Sequence, residues 1–284
     1  MDVPRPALHN QVLRPASLAD LFSLWNRFPG AVPFAGGTAL VRRGSDPTGI
    51  RGIFREQPEL PEEILSLEEI NDLRSITRTE RYLEIGAMVR LSEIIALGKI
   101  VPDAFTRTLL GVAGPLVRNL ATIGGNICTG GDSAAPMAAL DAQYELRNAS
   151  GSRWISALRF SSSRESLAKG ELLTRIRIPL NEWDYTVYRK FYSAENEGGV
   201  LILLAQTQKN ILSRMLAVFA GSVMLHDKES EVFLEGKALP LNRRDAVHCR
   251  KCWETYLEGA GKTGALLRTM IVNTIEEGIM GLAD

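Results

Sequence analysis

Two short segments of this 284-residue chain carry residue types that could hold a diphosphate. In PFAGGTAL, residues 33–40, Pro33, Phe34 and Ala35 lead into Gly36 and Gly37, and Thr38, Ala39 and Leu40 come next. The two glycines permit positive φ and leave no Cβ to keep a ligand at a distance. Successive N–H groups in such a turn converge on an anion, and the Thr38 hydroxyl adds a donor. In ATIGGNI, residues 121–127, Ala121 precedes the Thr122 hydroxyl, the Gly124 and Gly125 backbone and the Asn126 amide, which repeat that chemistry within a few residues. A lone Gly-Gly-Thr also reads as an ordinary tight turn. Two such segments separated by strands and helices are harder to dismiss.

Other chemistries lack their residues. No G-x-G-x-x-G follows a strand, which disfavours a Rossmann site. GAGKTG, residues 259–264, resembles the end of a phosphate-binding loop, but the first glycine of G-x-x-x-x-G-K-[ST] would fall on Tyr256. That segment reads as a turn between helices. Cys249 and Cys252 form a C-x-x-C beside His248, yet a closed zinc site needs about four ligands and no second pair exists. They read as two thiols on a helix. Cys128, inside the second glycine segment, reads as a small filler, since no histidine is near in sequence to activate it. His9, His226 and His248 share no metal or relay spacing, Glu68 with Glu69 forms a solvated face, and Arg42 with Arg43 reads as surface charge. No catalytic residue and no metal ligand is assigned.

The 33 basic and 33 acidic side chains cancel, so no net field draws in nucleic acid or an anionic membrane. Three cysteines are too few for a disulfide framework and fit a reducing compartment. The first residues lack the pattern of a secretion signal and no run of about 18 apolar residues occurs. The expected location is the cytoplasm.

The elements that must position the glycines alternate. A strand, a helix over residues 17–28 capped by Ser17, and a short strand AVPF deliver the first segment. Residues 48–63, rich in proline, glycine and charge, read as a linker or exposed excursion. Strands at 63–67 and 82–87, a helix at 91–97 behind Ser92, and a helix at 106–117 lead to the second segment, read as a loop of special backbone geometry. Residues 137–146 begin as a helix and become a strand. ELLTRIRIP, 171–179, alternates until proline stops it, as an exposed or edge strand would. Beyond a boundary near 180–184, segments 185–192, 200–207 and 215–220 read as three antiparallel strands, and the tail from Asn242 as helices. The fold class is α+β, with residues 1–182 as one domain, in subdomains of about 1–55 and 56–182, and 183–284 as a second.

At these residues the chain resembles the FAD-binding subunits of xanthine dehydrogenase, carbon-monoxide dehydrogenase and related molybdenum hydroxylases. The resemblance rests on A-G-G-T at 35–38, L-x-I-G-A at 83–87, R-N-x-A-T-I-G-G-N-I at 118–127, A-L-D-A at 139–142 and E-L-L-T-x-I-x-I-P at 171–179. These stand in the family's order. It implies two α/β subdomains of the vanillyl-alcohol oxidase and p-cresol methylhydroxylase type, then a C-terminal domain of a three-stranded antiparallel sheet and helices. It implies FAD held in extended form, with Phe34 to Thr38 around the pyrophosphate and Thr122, Gly124, Gly125 and Asn126 meeting pyrophosphate and ribityl oxygens opposite. Ala39 and Leu40 match positions near the diphosphate and flavin ring, Asp132 an acidic cofactor contact, and Leu173 and Lys190 positions beside the isoalloxazine.

The same resemblance implies electrons passing from a molybdenum centre through 2Fe-2S clusters to the flavin, and on to NAD or another acceptor. Three cysteines cannot ligate two four-cysteine clusters, so the clusters and the molybdenum cofactor belong to partner subunits. The chain departs from the family's pattern in a shorter stretch after Ile127, in FYSAENEGG after Lys190, in ALLR at 265–268, and in Ala39. A stand-alone flavin oxidase of the same fold and a scaffold that has lost FAD are the alternative functions.

Overall fold

The computed structural model describes residues 11–39, 60–160, 167–192, 198–260 and 263–283. His9, Leu40, Arg42, Arg43 and most of the proposed linker lie outside the described residues. Strands β1 (Gln11–Leu13) and β2 (Val32–Phe34) flank β3 (Glu63–Ser66) in a parallel sheet of order β1-β3-β2. The crossover helix α1 (Leu18–Arg27) starts where Ser17 Oγ accepts the N–H of Asp20 at 3.1 Å. Leu18, Leu21 and Phe22 recur at helical spacing and bury against Leu67, Ile70, Leu73 and Met88. Strand β3 completes this first sheet, which draws on residues 11–66.

The second sheet is antiparallel, in the order β4 (Ile76–Arg78), β5 (Tyr82–Gly86), β8 (Leu172–Pro179), β6 (Gln143–Asn148), β7 (Gly151–Ser156). Strand β8 is therefore central, a correction to its reading as an exposed or edge strand. Its alternation does give one apolar face, with Ile176 and Ile178 in the core. The other face carries Arg175 and Arg177, whose charges are met by neighbouring strands. Glu84 accepts from Arg177 Nε at 2.7 Å, and the Arg177 guanidinium lies 4.2 Å from the Trp154 ring centroid. Proline at Pro179 ends the strand instead of marking an edge.

Between β5 and β6 run four short helices, α2 (Leu91–Ala96), α3 (Asp103–Gly111), α4 (Pro115–Arg118) and α5 (Ile123–Cys128), and then α6 (Ala134–Ala139). Three expectations are corrected here. The cap of α2 is Arg90, with Glu93 accepting the Arg90 N–H at 2.7 Å, not Ser92. The single helix expected over 106–117 is broken: Ala113 takes φ 42°, Pro115 opens a new turn, and one Arg118 nitrogen donates to the carbonyls of Leu110, Val112 and Ala113. Apolar periodicity runs through the break and so hides it. Finally, the second glycine segment is not a loop but forms the start of α5.

The last sheet orders β12 (Met224–His226), β11 (Ile211–Ala220), β10 (Gly199–Gln208), β9 (Tyr185–Phe191), all antiparallel. It holds the three anticipated strands plus β12, too short to show a pattern in sequence. Helices α7 (Lys228–Leu234), α8 (Arg243–Ala260) and α9 (Ala265–Met280) cover one face; of GAGKTG, Gly259 and Ala260 end α8, and residues 261 and 262 lie outside the described residues. Strand β10 is buried on both sides: Val200, Ile202 and Leu204 enter the core of the middle unit, while Leu201, Leu203 and Ala205 meet the helices. Among the described residues no helix is long and apolar enough to cross a membrane.

Candidate functional site

Strand β2 carries Pro33 and Phe34 and releases Ala35, Gly36 and Gly37 into a turn, after which Thr38 and Ala39 are helical. Gly37 has φ 69°, and a Cβ on it would stand 2.5 Å from the Phe34 ring. Gly36 presses on the other segment: its Cβ would lie 1.9 Å from the Leu120 carbonyl oxygen and 3.2 Å from Ala121 Cα. The glycine segments, more than 80 residues apart in sequence, thus touch backbone to backbone. Side chains on the first would force them apart. Among the described residues nothing accepts the N–H groups of Gly36 and Gly37 or the Thr38 hydroxyl proton.

The second segment is fastened to the residues between β5 and α2 and to the first residue of α2. The carbonyl of Ala121 accepts the N–H of Leu91 at 3.0 Å, Ile123 donates to Val89 at 3.0 Å, and Gly124 donates to Ala87 at 2.9 Å. A Cβ on Gly124 would sit 2.7 Å from the Ala87 Cβ. Thr122 caps α5 by accepting the Gly125 N–H at 3.2 Å. Gly125 is the point where the segments face each other, since a Cβ there would fill the space between Thr122 Oγ1, at 3.0 Å, and the Ala35 Cβ, at 4.0 Å.

Asn126 turns the chain after α5. Its Oδ1 accepts the Ser133 N–H at 3.0 Å and its backbone carbonyl the Gly131 N–H at 2.8 Å, leaving the Nδ2 protons without an acceptor among the described residues. Among the described residues the two segments therefore offer N–H groups, a hydroxyl and an amide, and neither 33–39 nor 121–127 contains a carboxylate. Asp132 is neutralised by Lys190, at 2.7 Å. Donor-bearing segments that carry no carboxylate and pack closely at their glycines have the chemistry to hold an extended diphosphate.

The other anticipated residues stand further from the glycines. Leu173 is buried on β8 in the same core as Ile123 and Ile127. Lys190 stands on β9 and reaches the second segment only through Asp132 and the end of α3. Burial pushes the Cys128 thiol up to about 12, as suits a filler and not a nucleophile. Cys249 is likewise pushed up to about 12, first by burial and then by the neighbouring Cys252. No cluster of three metal-ligating side chains occurs among the described residues. His226, given no role by spacing, meets Glu231 at 2.7 Å, and His248 stacks on Phe233.

Sequence reasoning missed the groups that receive the glycines. Ala87 and Leu120 present backbone carbonyls, so their side chains carry no signal. Tyr188, whose hydroxyl abuts Gly111, was legible only as part of a strand. Arg118 lies within the R-N-x-A-T-I-G-G-N-I pattern, and its role in ending α3 requires the helix break to be seen.

Known proteins are similar to this chain in sequence and in fold. A family model described as the FAD binding domain in molybdopterin dehydrogenase matches residues 8–181. The chain is 33% identical over 176 residues to the carbon monoxide dehydrogenase medium chain of Afipia carboxidovorans, covering 59% of this chain and 57% of that one. It is 28% identical over 179 residues to the xanthine dehydrogenase FAD-binding subunit of Escherichia coli O157:H7, covering 58% and 56%. The matched part thus spans somewhat over half the length of these curated relatives. In fold, the chain superposes on a solved chain of reconstituted CO dehydrogenase from Oligotropha carboxidovorans with a TM-score of 0.77 and 24% identity, covering 95% of this chain and 96% of that chain.

Proposed function

Because this chain belongs to the family of FAD-binding domains of molybdopterin dehydrogenases, we propose that its two glycine segments are the opposed walls of one FAD site in an oxidoreductase complex. The observation that carries this is the seating of Gly36 on the Leu120 carbonyl and Ala121, which joins the two donor-bearing segments in one cleft. In this reading the N–H groups of Gly36 and Gly37 and the Thr38 hydroxyl bind the pyrophosphate from β2. Pro33, Phe34, Ala35 and Ala39 shape that wall. From α5, the Asn126 Nδ2 donates to the ligand. Gly124 and Gly125 contribute closeness, since their own N–H groups are already taken by Ala87 and Thr122. Ala121 and Thr122 fix the start of the helix, and Asp132, Lys190 and Leu173 support the flavin end.

When bound, the flavin supplies the electron-accepting and electron-donating chemistry. The chain's own residues bind, orient and shield it. The electrons would come from 2Fe-2S clusters on a partner subunit, fed by a molybdenum-cofactor subunit, and leave to NAD or another acceptor. Three cysteines, two of them with thiols pushed up to about 12, support placing the clusters elsewhere.

The test is the absorbance of the purified chain. A flavin band, released on denaturation and identified as FAD, is the expected result, with reduction only after an iron–sulfur partner is added. Direct reduction by an organic substrate would instead establish a self-sufficient oxidase, and a colourless chain that cannot be reconstituted would end the proposal. Gly125→Val, which fills the space facing Ala35, is expected to abolish FAD retention while circular dichroism shows the C-terminal sheet and helices intact.

A further inference from the structure

Helix α4 lacks the usual means of staying in place. It has four residues, none of them buried, and Leu116 is 81% exposed. An isolated helix shorter than about 12–15 residues is not stable in water. Two residues past its end Leu120 is exposed as well, yet the Leu120 carbonyl is where Gly36 seats. The contact that joins the two glycine segments is therefore carried by a stretch that the apolar core does not hold.

One side chain holds it instead. Arg118 Nη1 turns back across the helix break and donates to the carbonyls of Leu110, Val112 and Ala113 at 3.1, 2.9 and 2.7 Å. Among the described residues no backbone N–H reaches any of the three. They lie at and just past the C-terminus of α3, where carbonyls lack intrahelical donors and a cation is favoured. Helix α3 is itself anchored, with Ala104, Phe105 and Leu109 in the core. The break passes through Ala113 at φ 42°, a left-handed conformation that is unfavourable for an L residue and persists only where its surroundings fix it. Arg118 ties the carbonyl of that residue, the one before it and the last turn of α3 to a single point.

Beyond Arg118 the chain continues the same turn, with the N–H of Asn119 bonded to Pro115 and those of Leu120 and Ala121 to Val117, at 2.7 to 3.0 Å. The Ala121 carbonyl is held by the N–H of Leu91. Leu120 thus lies between two fastenings. One is a backbone bond open to almost any residue, and the other depends on the side chain at 118.

We infer that Arg118 is a positioning residue for the cofactor: by binding the freed carbonyls at the end of α3 it sets the place of the Leu120 carbonyl, and with it the seam at which the two glycine segments meet. The inference rests on the reading of those segments as the FAD site. Because one nitrogen meets all three carbonyls, the requirement is for several N–H bonds at one point. An ammonium satisfies it, an amide does so in part, and a thioether does not.

The experiment compares the full chain with Arg118→Met, Arg118→Gln and Arg118→Lys. Amide hydrogen exchange of residues 116–121 is measured in FAD-free protein, FAD affinity by flavin fluorescence titration well below the Tm, and the Tm itself by calorimetry. Arg118→Met is expected to raise exchange across 116–121 about tenfold and to weaken FAD binding about tenfold, while β5 and β8 keep their protection. Arg118→Lys should bind FAD within about twofold of wild type, a rescue that follows from the single-nitrogen geometry. Arg118→Gln should fall between them, and it secures the test should Arg118→Met fold poorly. Combined with Thr38→Val, Arg118→Met should weaken FAD by less than the product of the two separate effects, since a displaced seam already deprives Thr38 of its place. Wild-type affinity in both Arg118→Met and Arg118→Gln, even with a lowered Tm, overturns the inference, as does an Arg118→Lys variant no better than Arg118→Met. A wild-type chain that never binds FAD defeats the cofactor reading itself, and the dependence on Arg118 with it.

Discussion

The two glycine segments share a Gly-Gly pair beside a threonine, yet their backbones do different work. On the first, Gly36 and Gly37 have N–H groups with no acceptor among the described residues. On the second, Gly124 donates to Ala87 and Gly125 to the Thr122 hydroxyl, so the same dipeptide is consumed by its own fold. The first wall is built to give hydrogen bonds away, and the second to be rigid and close. A Gly-Gly pair with a threonine nearby therefore marks a place where backbone approaches something, without saying whether that is ligand or protein.

Substitutions can break this contrast. The largest effect is expected for Gly36→Ala, whose methyl meets a backbone oxygen that cannot swing aside. Overpacking of this kind should cost about 3 kcal/mol or more, lower the Tm by roughly 6–12 °C, and eliminate FAD binding, as differential scanning calorimetry and flavin titration would show. Gly124→Ala meets Ala87 at 2.7 Å, where part of the clash is between two methyl carbons and relief is easier. It should cost roughly 1–3 kcal/mol, with FAD still bound at low temperature.

A matched pair of threonine changes sharpens the contrast. Thr38→Val removes an unpaired donor and keeps the shape, so FAD should bind roughly fivefold to tenfold more weakly, the value of about one hydrogen bond, with the Tm unmoved. Thr122→Val removes the cap of α5 and should lower stability by about 1 kcal/mol, with the loss seen first in the Tm. Equal effects of both on FAD and neither on stability would erase the distinction between the walls.

The smallest effect lies away from both walls. Glu171, buried at the start of β8, is held below the usual carboxylate range by its paired hydrogen bonds with Arg153, at 2.7 and 2.8 Å, against the opposing cost of burial. A depressed carboxylate contributes stability that is present above its unfolded pKa, about 4, and is lost as pH falls through the folded value. Because Arg153 is half exposed, Glu171→Gln should cost only about 1 kcal/mol at pH 7. The gap in Tm between wild type and variant should narrow as the pH is taken toward 3, with FAD affinity unchanged throughout.

The features legible in the sequence are written in side chains, and the hidden ones in backbone. The Ser17 cap, the alternation of β8 and the three long C-terminal strands all announce themselves through residue type at a fixed period. The break after Gly111 does not, because leucine and valine continue the helical rhythm past Ala113 and only Pro115 hints at it. The centrality of β8 was hidden by its arginines, which look like solvent-facing charge until Glu84 and Glu145 are placed on the flanking strands and Trp154 on the strand beyond. Within the site, the glycines were identifiable, but their partners Ala87 and Leu120 act through carbonyls that every residue possesses. The ion pair of Asp132 with Lys190 joins two residues each individually expected at the cofactor, and no spacing rule indicates that they find one another.

Strand β10, with Val200, Ile202 and Leu204 in one core and Leu201, Leu203 and Ala205 in the other, bears on how the chain gains and loses its structure. Neither core can be completed without it, so neither can melt without uncovering the other. Heating should give one cooperative unfolding transition across both halves, and a fragment ending near residue 182 would display an unsealed apolar surface to chaperones and proteases.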